Sequence, residues 1–172
     1  VNMTRIAIVL IVGTALAMGV GMYYAQVYAY YYDVEPQGDD VVLTPAGGGD
    51  PVTIAYDNFR GIDRDSSPKA FRACFDTSLS LDEARAEYEP YEGAAPLVAP
   101  GWFECYDAKA LGAQIEAGQA QVFTGVTNIE YGIDRVVAIT ADGKGYAWQE
   151  INECGDKAYD GSPLGEDCPE RE

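Results

Sequence analysis

The longest uninterrupted pattern in the chain is apolar. From Ile6 to Ala25, the twenty residues IAIVLIVGTALAMGVGMYYA carry no charge. As an α-helix rising about 1.5 Å per residue, this run covers roughly 30 Å, the hydrocarbon thickness of a bilayer. Continuing through Tyr32 adds about 10 Å and carries the helix across the interfacial layer. The pattern predicts a membrane-spanning helix over 6–32, preceded by a short cytoplasmic segment at 1–5. A cleaved signal peptide is the competing reading, with Ile6–Ala15 as its apolar region and Ala15-Leu16-Ala17 as its cleavage site. Apolar character persists well beyond Ala17, so a retained anchor is expected.

Two finer patterns lie on this segment. Gly13, Ala17, Gly21, Ala25 and Ala29 place a small residue at every fourth position. Such a stripe lets another helix approach closely, and at 100° per residue it winds slowly around the axis, which suits a crossing partner. The six tyrosines Tyr23, Tyr24, Tyr28, Tyr30, Tyr31 and Tyr32 crowd the end of the run. Phenols belong at the depth where a helix leaves hydrocarbon, with rings in the interface and hydroxyls toward water. On a continuing helix Tyr24, Tyr28, Tyr31 and Tyr32 share one side while Tyr23 and Tyr30 take another, so the collar can meet lipid headgroups and a neighbouring subunit.

Beyond Asp33 the pattern changes. Residues 33–58 are broken by EPQGDD and TPAGGGDP and read as a linker with a short strand at Val41–Leu43, leading into a second at Val52–Phe59. A third strand is expected at Lys69–Phe75. Ser80 followed by Glu83 forms a capping box for a helix over Leu81–Tyr88, which ends near Pro90. APLVAPGWFECYD crosses as a loop or edge strand. Asp107 caps a second helix on which Leu111 and Ile115 share a face and which Gly118 ends. QVFTGVTNI, YGIDRVVAIT and YAWQEIN alternate as strands, and Asp142-Gly143 joins the last two in a hairpin. The sum is an α+β domain at 59–172: an antiparallel sheet, two short helices and two disulfides. The repeated GIDR at 61–64 and 132–135 has no matching flanks and is read as coincidence.

Charge sharpens the division. Arg5 is the only charged side chain before Asp33, and from there on 10 Lys and Arg face 28 Asp and Glu, a net of −18. By the positive-inside rule the domain lies outside, in the periplasm of a bacterium whose inner membrane holds the anchor. Such an acidic surface repels nucleic acid and anionic lipid and attracts basic proteins.

The chain has no histidine. That removes Ser-His-Asp and Cys-His catalysis and histidine-ligated zinc, copper or haem. Met3, Met18 and Met22 all lie in the apolar segment, and no phosphate-binding loop or Gly-x-Ser-x-Gly elbow occurs. The acidic run EYEPYE at 87–92 lacks the ligand spacing of a calcium loop. No cofactor, metal or catalytic residue is therefore expected, and Trp102, Phe103 and Trp148 are read as core aromatics. Cys74, Cys105, Cys154 and Cys168 allow three pairings; Cys74–Cys105 with Cys154–Cys168 is preferred because the second closes a short Gly-rich tail.

FRACF (71–75), LVAPGWFECYDAKALGAQIEAGQAQVF (97–123), NIEYGIDRVVAI (128–139), DGKGYAWQEINECG (142–155) and DCP (167–169), with MYYAQVYAYY (22–31) ending the anchor, resemble an uncharacterised alphaproteobacterial family. Its members are short, single-span, membrane-anchored periplasmic proteins carrying a domain of unknown function. The resemblance implies that architecture and no established activity.

Together these readings lead to the expectation of a non-catalytic accessory or assembly subunit of an inner-membrane complex, such as the respiratory bc1 complex or cytochrome oxidase. Its partners are expected to be transmembrane helices of that complex, lipid, and a basic cytochrome c drawn by the acidic domain. A tethered periplasmic binding or envelope module acting alone is the alternative, and an enzyme working through paired carboxylates is a third, less favoured reading.

Overall fold

The computed structural model describes residues 2–165, 168 and 169. Val1 of the expected cytoplasmic segment, Asp167 of the DCP motif and the last three residues of the expected domain lie outside that range. The chain divides into two compact units, residues 1–32 and 33–172.

In the first unit, helix α1 runs over Met3–Tyr24. The Asn2 side chain caps it by accepting from the Thr4 amide at 3.2 Å. The Thr14 hydroxyl donates to the Leu10 carbonyl one turn back, so a polar side chain on an apolar helix keeps its hydrogen bond. The ladder then widens into a π-helical turn at Ala25–Ala29, closed by the Tyr30 amide on the Ala25 carbonyl at 3.0 Å. Met3–Ala29 is long and apolar enough to cross a membrane, with a mean hydropathy of 2.2, as a membrane anchor or a signal sequence would be.

The α-helix expected through Tyr32 is thus cut short, and Tyr32 opens strand β1, Tyr32–Val34. A π-turn bonds i to i+5 and takes more residues per turn, which changes the angular placement of everything after Ala25. The single α-helical face proposed for Tyr24, Tyr28, Tyr31 and Tyr32 does not form. Tyr24 and Tyr28 do meet, with stacked rings and centroids 5.7 Å apart.

The second unit is built on a six-stranded sheet. After β1 come the short strands β2 (Val42–Leu43) and β3 (Val52–Thr53), which pair with each other as a separate two-stranded sheet. Strands β4 (Asp57–Asp63) and β5 (Arg72–Asp76) follow, then helices α2 (Leu81–Glu87) and α3 (Ala108–Glu116). Strands β6 (Ala120–Glu130), β7 (Ile133–Thr140) and β8 (Lys144–Ile151) complete the sheet, in the order β1-β4-β5-β8-β7-β6. The pairings β4–β5, β5–β8, β8–β7 and β7–β6 are antiparallel.

Side chains alternate across the pleat, so the registers sort them between two buried faces. Ala73, Ala147, Val137 and Phe123 fall in one cross-sheet row and join Phe71, Phe75 and Ile139 in the main core. That core is closed by Leu81 and Ala84 of α2 and by Val41, Leu43 and Ile54. On the opposite face Ile62, Val136, Ala138 and Trp148 are buried, together with Phe103, Tyr106 and Leu111 from the segment 92–107 and α3. Here the Arg72 guanidinium donates to the carbonyls of Lys69, Phe71, Leu97 and Val98, a covalent stem of the sheet holding a loop in place.

Residues 33–58, expected as a linker with first strands, belong to the folded unit. The Thr44 amide bonds the Thr124 carbonyl at 2.8 Å and its hydroxyl bonds the Gly125 carbonyl at 3.0 Å, tying the segment after β2 to β6. The expected strand over Val52–Phe59 is two strands, because Ile54 turns into the core with its amide on the Val41 carbonyl. Asn58, at φ 53°, then marks a bulge in β4. The strand expected from Lys69 begins at Arg72, since Lys69 supplies a carbonyl to Arg72 instead of a ladder bond.

Local signals are realised closely. The Ser80–Glu83 capping box is fully formed, Asp107 accepts from the Lys109 and Ala110 amides, and Gly118 and Gly143 take the left-handed φ values of 71° and 78° that their turns require. The architecture is α+β with an apolar N-terminal helix, an antiparallel sheet, two further helices and two disulfides.

Candidate functional site

The residues expected to pack against a partner helix lie on a helix with no buried residue from Met3 to Ala29. A Cβ added at Gly13 or Gly21 would meet nothing within 4 Å. Gly13, Ala17 and Gly21 share the α-helical stretch, whereas Ala25 and Ala29 bound the π-turn, so the stripe is regular over its first three members and shifts after them.

In the second unit the cysteines join as Cys74–Cys105, with Cα atoms 6.2 Å apart, and Cys154–Cys168, at 5.5 Å. The first ties the segment 92–107 to β5 beneath Phe103 and Tyr106. It borders a cleft of about 310 Å³ that also includes Arg60, Asp76, Lys144 and Tyr146. The second fastens the tail to a turn docked on the β6–β7 connection.

That docking rests on a network of amides around a buried acid. Asp134 is 4% exposed. Its carboxylate accepts from the Asn128 amide at 2.8 Å, from Asn152 Nδ2 at 2.6 Å and from the Tyr91 hydroxyl at 3.1 Å. Burial, then the Asp134 charge, pushes the Tyr91 phenol well above its ordinary range, so it remains a donor. Both Asp134 oxygens are therefore engaged, and Asn152 Oδ1 accepts from the Cys154 amide to complete the turn. This carboxylate holds loops together.

Other acids are held by local partners. Asp40 accepts from the Gln37 and Gly38 amides and from the Tyr56 hydroxyl. Asp76 pairs with Lys144 at the surface. Among the described residues no group of three or more His, Cys, Asp or Glu is placed to hold a metal ion.

One constellation was not singled out from the sequence. Arg135 sits on β7 in the row of Ile133, Val137 and Ile139, all buried, and so projects its stem onto the main-core face. Its guanidinium carbon lies 3.5 Å from the centre of the Phe71 ring. Its Nε is buried without a hydrogen-bond partner. Beside it on β8, Gln149 is 3% exposed and its Oε1 also lacks a partner. Burial pulls the Arg135 guanidinium down to about 10, which leaves it charged at neutral pH. The legible signal was a charged residue at an inward position of the alternating strand IDRVVAIT, with a glutamine inward in YAWQEIN.

The chain is a small disulfide-stapled α+β domain preceded by an apolar helix of the length and composition of a membrane anchor or a signal sequence. Residues 41–169 match DUF6446, a family of unknown function, and the chain belongs to that family. The match starts at Val41, within the segment that supplies the first core residues. No curated protein and no solved structure matches the chain.

Proposed function

We propose that this protein is a non-catalytic, single-pass accessory or assembly subunit of an inner-membrane complex, with its N-terminus cytoplasmic and its acidic domain in the periplasm. The observation that carries the reading is the helix Met3–Ala29, uncharged after Arg5, without a buried residue, and presenting Gly13, Ala17 and Gly21 as an open groove. In lipid there is no hydrophobic gain from burying leucine, so close backbone approach at small residues is a main source of helix association. Arg5 before the span and the acids after it favour the stated orientation. The engagement of Asp134 by its neighbours leaves the buried carboxylate to a structural task, which supports a non-catalytic role.

A respiratory electron-transfer complex, bc1 or cytochrome oxidase, is the partner we favour, because an external domain of net charge −18 concentrates a basic cytochrome c by long-range attraction. That attraction weakens as salt shortens the Debye length, about 10 Å at 0.1 M. The test is affinity purification of the tagged full chain from native membranes, with mass spectrometry of what accompanies it. Subunits of one respiratory complex should co-purify with the wild type and be lost from a Gly13→Ile/Ala17→Ile/Gly21→Ile variant that still inserts. A chain that runs as a monomer in mild detergent, and is missing from purified bc1 and oxidase, would refute the assignment.

A further inference from the structure

The main-core face carries an unusual polar row at one end. The register pairing Ile62 with Arg72 sets Asp63 beside Phe71, that pairing Arg72 with Trp148 sets Phe71 beside Gln149, and Gln149 pairs with Arg135. Asp63, Phe71, Gln149 and Arg135 therefore follow one another across four strands. Since the Arg135 guanidinium stacks on Phe71, its side chain crosses Gln149 and ends on the Asp63 side of it.

Yet the charges stop short of pairing. No ion pair or hydrogen bond from the Arg135 guanidinium is made among the described residues, although the Asp63 charge acts on it. Asp63 is half-buried, and its carboxylate accepts from the Arg64 amide at 2.8 Å. Gln149 Oε1, an acceptor almost wholly removed from solvent, is unspent. Leaving a buried acceptor unmatched costs about 1–3 kcal/mol, and the buried Arg135 Nε is an unmatched donor beside it. A row that holds a cation, an anion and an orphan amide without joining them is built around something that joins them.

We propose that Arg135, Asp63 and Gln149 form a binding site for a small zwitterion of the α-amino-acid class. Its carboxylate accepts from the Arg135 guanidinium in the two-pronged manner that arginine favours. Its ammonium donates to Asp63, and to Gln149 Oε1 once the arginine stem lifts from it. The charges select against the alternatives. Asp63, with Asp40 and Glu130 in range of Arg135, disfavours a multivalent anion such as phosphate, and Arg135 disfavours a metal cation. A ligand carrying both charges satisfies each without adding net charge to an already acidic unit. The site does not depend on which membrane complex the chain joins.

The experiment is isothermal titration of the full chain in detergent with a series of L-amino acids from alanine to phenylalanine. Propionate, propylamine and alaninamide serve as single-charge controls. Saturable binding of at least one amino acid is expected, at least tenfold tighter than any control. Asp63→Asn should weaken it about tenfold and reduce the preference for the amino acid over its carboxylate-only analogue. Arg135→Gln should abolish it, and Arg135→Lys should retain part. Should the Arg135 variants fail to fold, the Asp63→Asn comparison decides alone, since that position is half-exposed. Flat titrations with every amino acid, as a row bridged only by water would give, overturn the proposal. So does undiminished binding by Asp63→Asn.

Discussion

Removing the Cys74–Cys105 disulfide should cost this protein more than removing Cys154–Cys168, and the gap should exceed what chain entropy alone gives. The first bridge closes a sequence separation of 31 residues and the second one of 14. Loop-closure entropy then stabilises the fold by about 3.7 and about 3.0 kcal/mol respectively, a nearly even pair. The packing is uneven. Cys74 is buried on the β5 face, and its partner positions Phe103 and Tyr106, at 3% and 6% exposure, over the sheet. Tyr106 stands edge-on to Tyr146 at 5.8 Å, and Arg60 lies 5.5 Å from the Phe103 ring centre. Unfastening that segment loosens the cover of one whole face, so Cys74→Ala/Cys105→Ala should lose about 4 kcal/mol or more. For a unit of this size that lowers the unfolding midpoint by about 10–15 °C. None of the described residues beyond Cys154 is buried, so Cys154→Ala/Cys168→Ala should lose at most its entropic share, much of it as local release of the tail. The loops do not overlap, and the two losses should add. Urea titration of each double variant, followed by tryptophan fluorescence because Trp148 lies under the first cover, measures both. Equal losses, or a larger loss for the second pair, would refute the reasoning.

Other positions offer independent checks. Gly132→Ala should destabilise by more than 2 kcal/mol, because its φ is 78° and a Cβ would sit 2.4 Å from the Gly155 Cα; thermal unfolding of the full chain reads this, and a neutral result would contradict the tight β6–β7 turn. Asp40 gives a pH test. Burial pushes its carboxyl up, but donation from Tyr56 and from the Gln37 and Gly38 amides outweighs it, leaving the group below 3.8. A depressed carboxyl stabilises above its unfolded value and loses that contribution as pH falls through the folded one. Tyr56→Phe should therefore lose about 1 kcal/mol at pH 7 and a smaller amount near pH 3, measured by urea denaturation at both. Replacing Tyr24, Tyr28 and Tyr31 with Ala should reduce co-purification of the partner complex; unchanged recovery would leave these rings a purely lipid-facing role.

Features set within a few residues were readable in the sequence. The capping box, the Asp107 cap and the Asp142-Gly143 hairpin each depend on groups no more than four positions apart, and each forms as expected. The misreadings depend on partners far along the chain. Val41, Leu43 and Ile54 are isolated among glycines, prolines and acids, and become core only because β6 and α2 lie over them. The end of the α-helix was lost for a related reason: nothing in a run of alternating tyrosine and alanine announces a switch to i→i+5 bonding. Arg135 shows an intermediate case. Its inward phase was visible, but that it would stack on Phe71 and lie near Asp63 follows only from the strand order, which no local pattern contains.

The position of β8 has a temporal consequence. The last strand of this sheet in chain order lies between β5 and β7, so it alone joins the half-sheet β1-β4-β5 to the half-sheet β7-β6. Until Ile151 has emerged, a nascent chain holds two ribbons with unpaired inner edges, each a template for wrong pairing. The domain must therefore be protected, or held extended, until β8 has been synthesised. A truncation before Lys144 should leave an aggregation-prone chain, not a smaller stable domain.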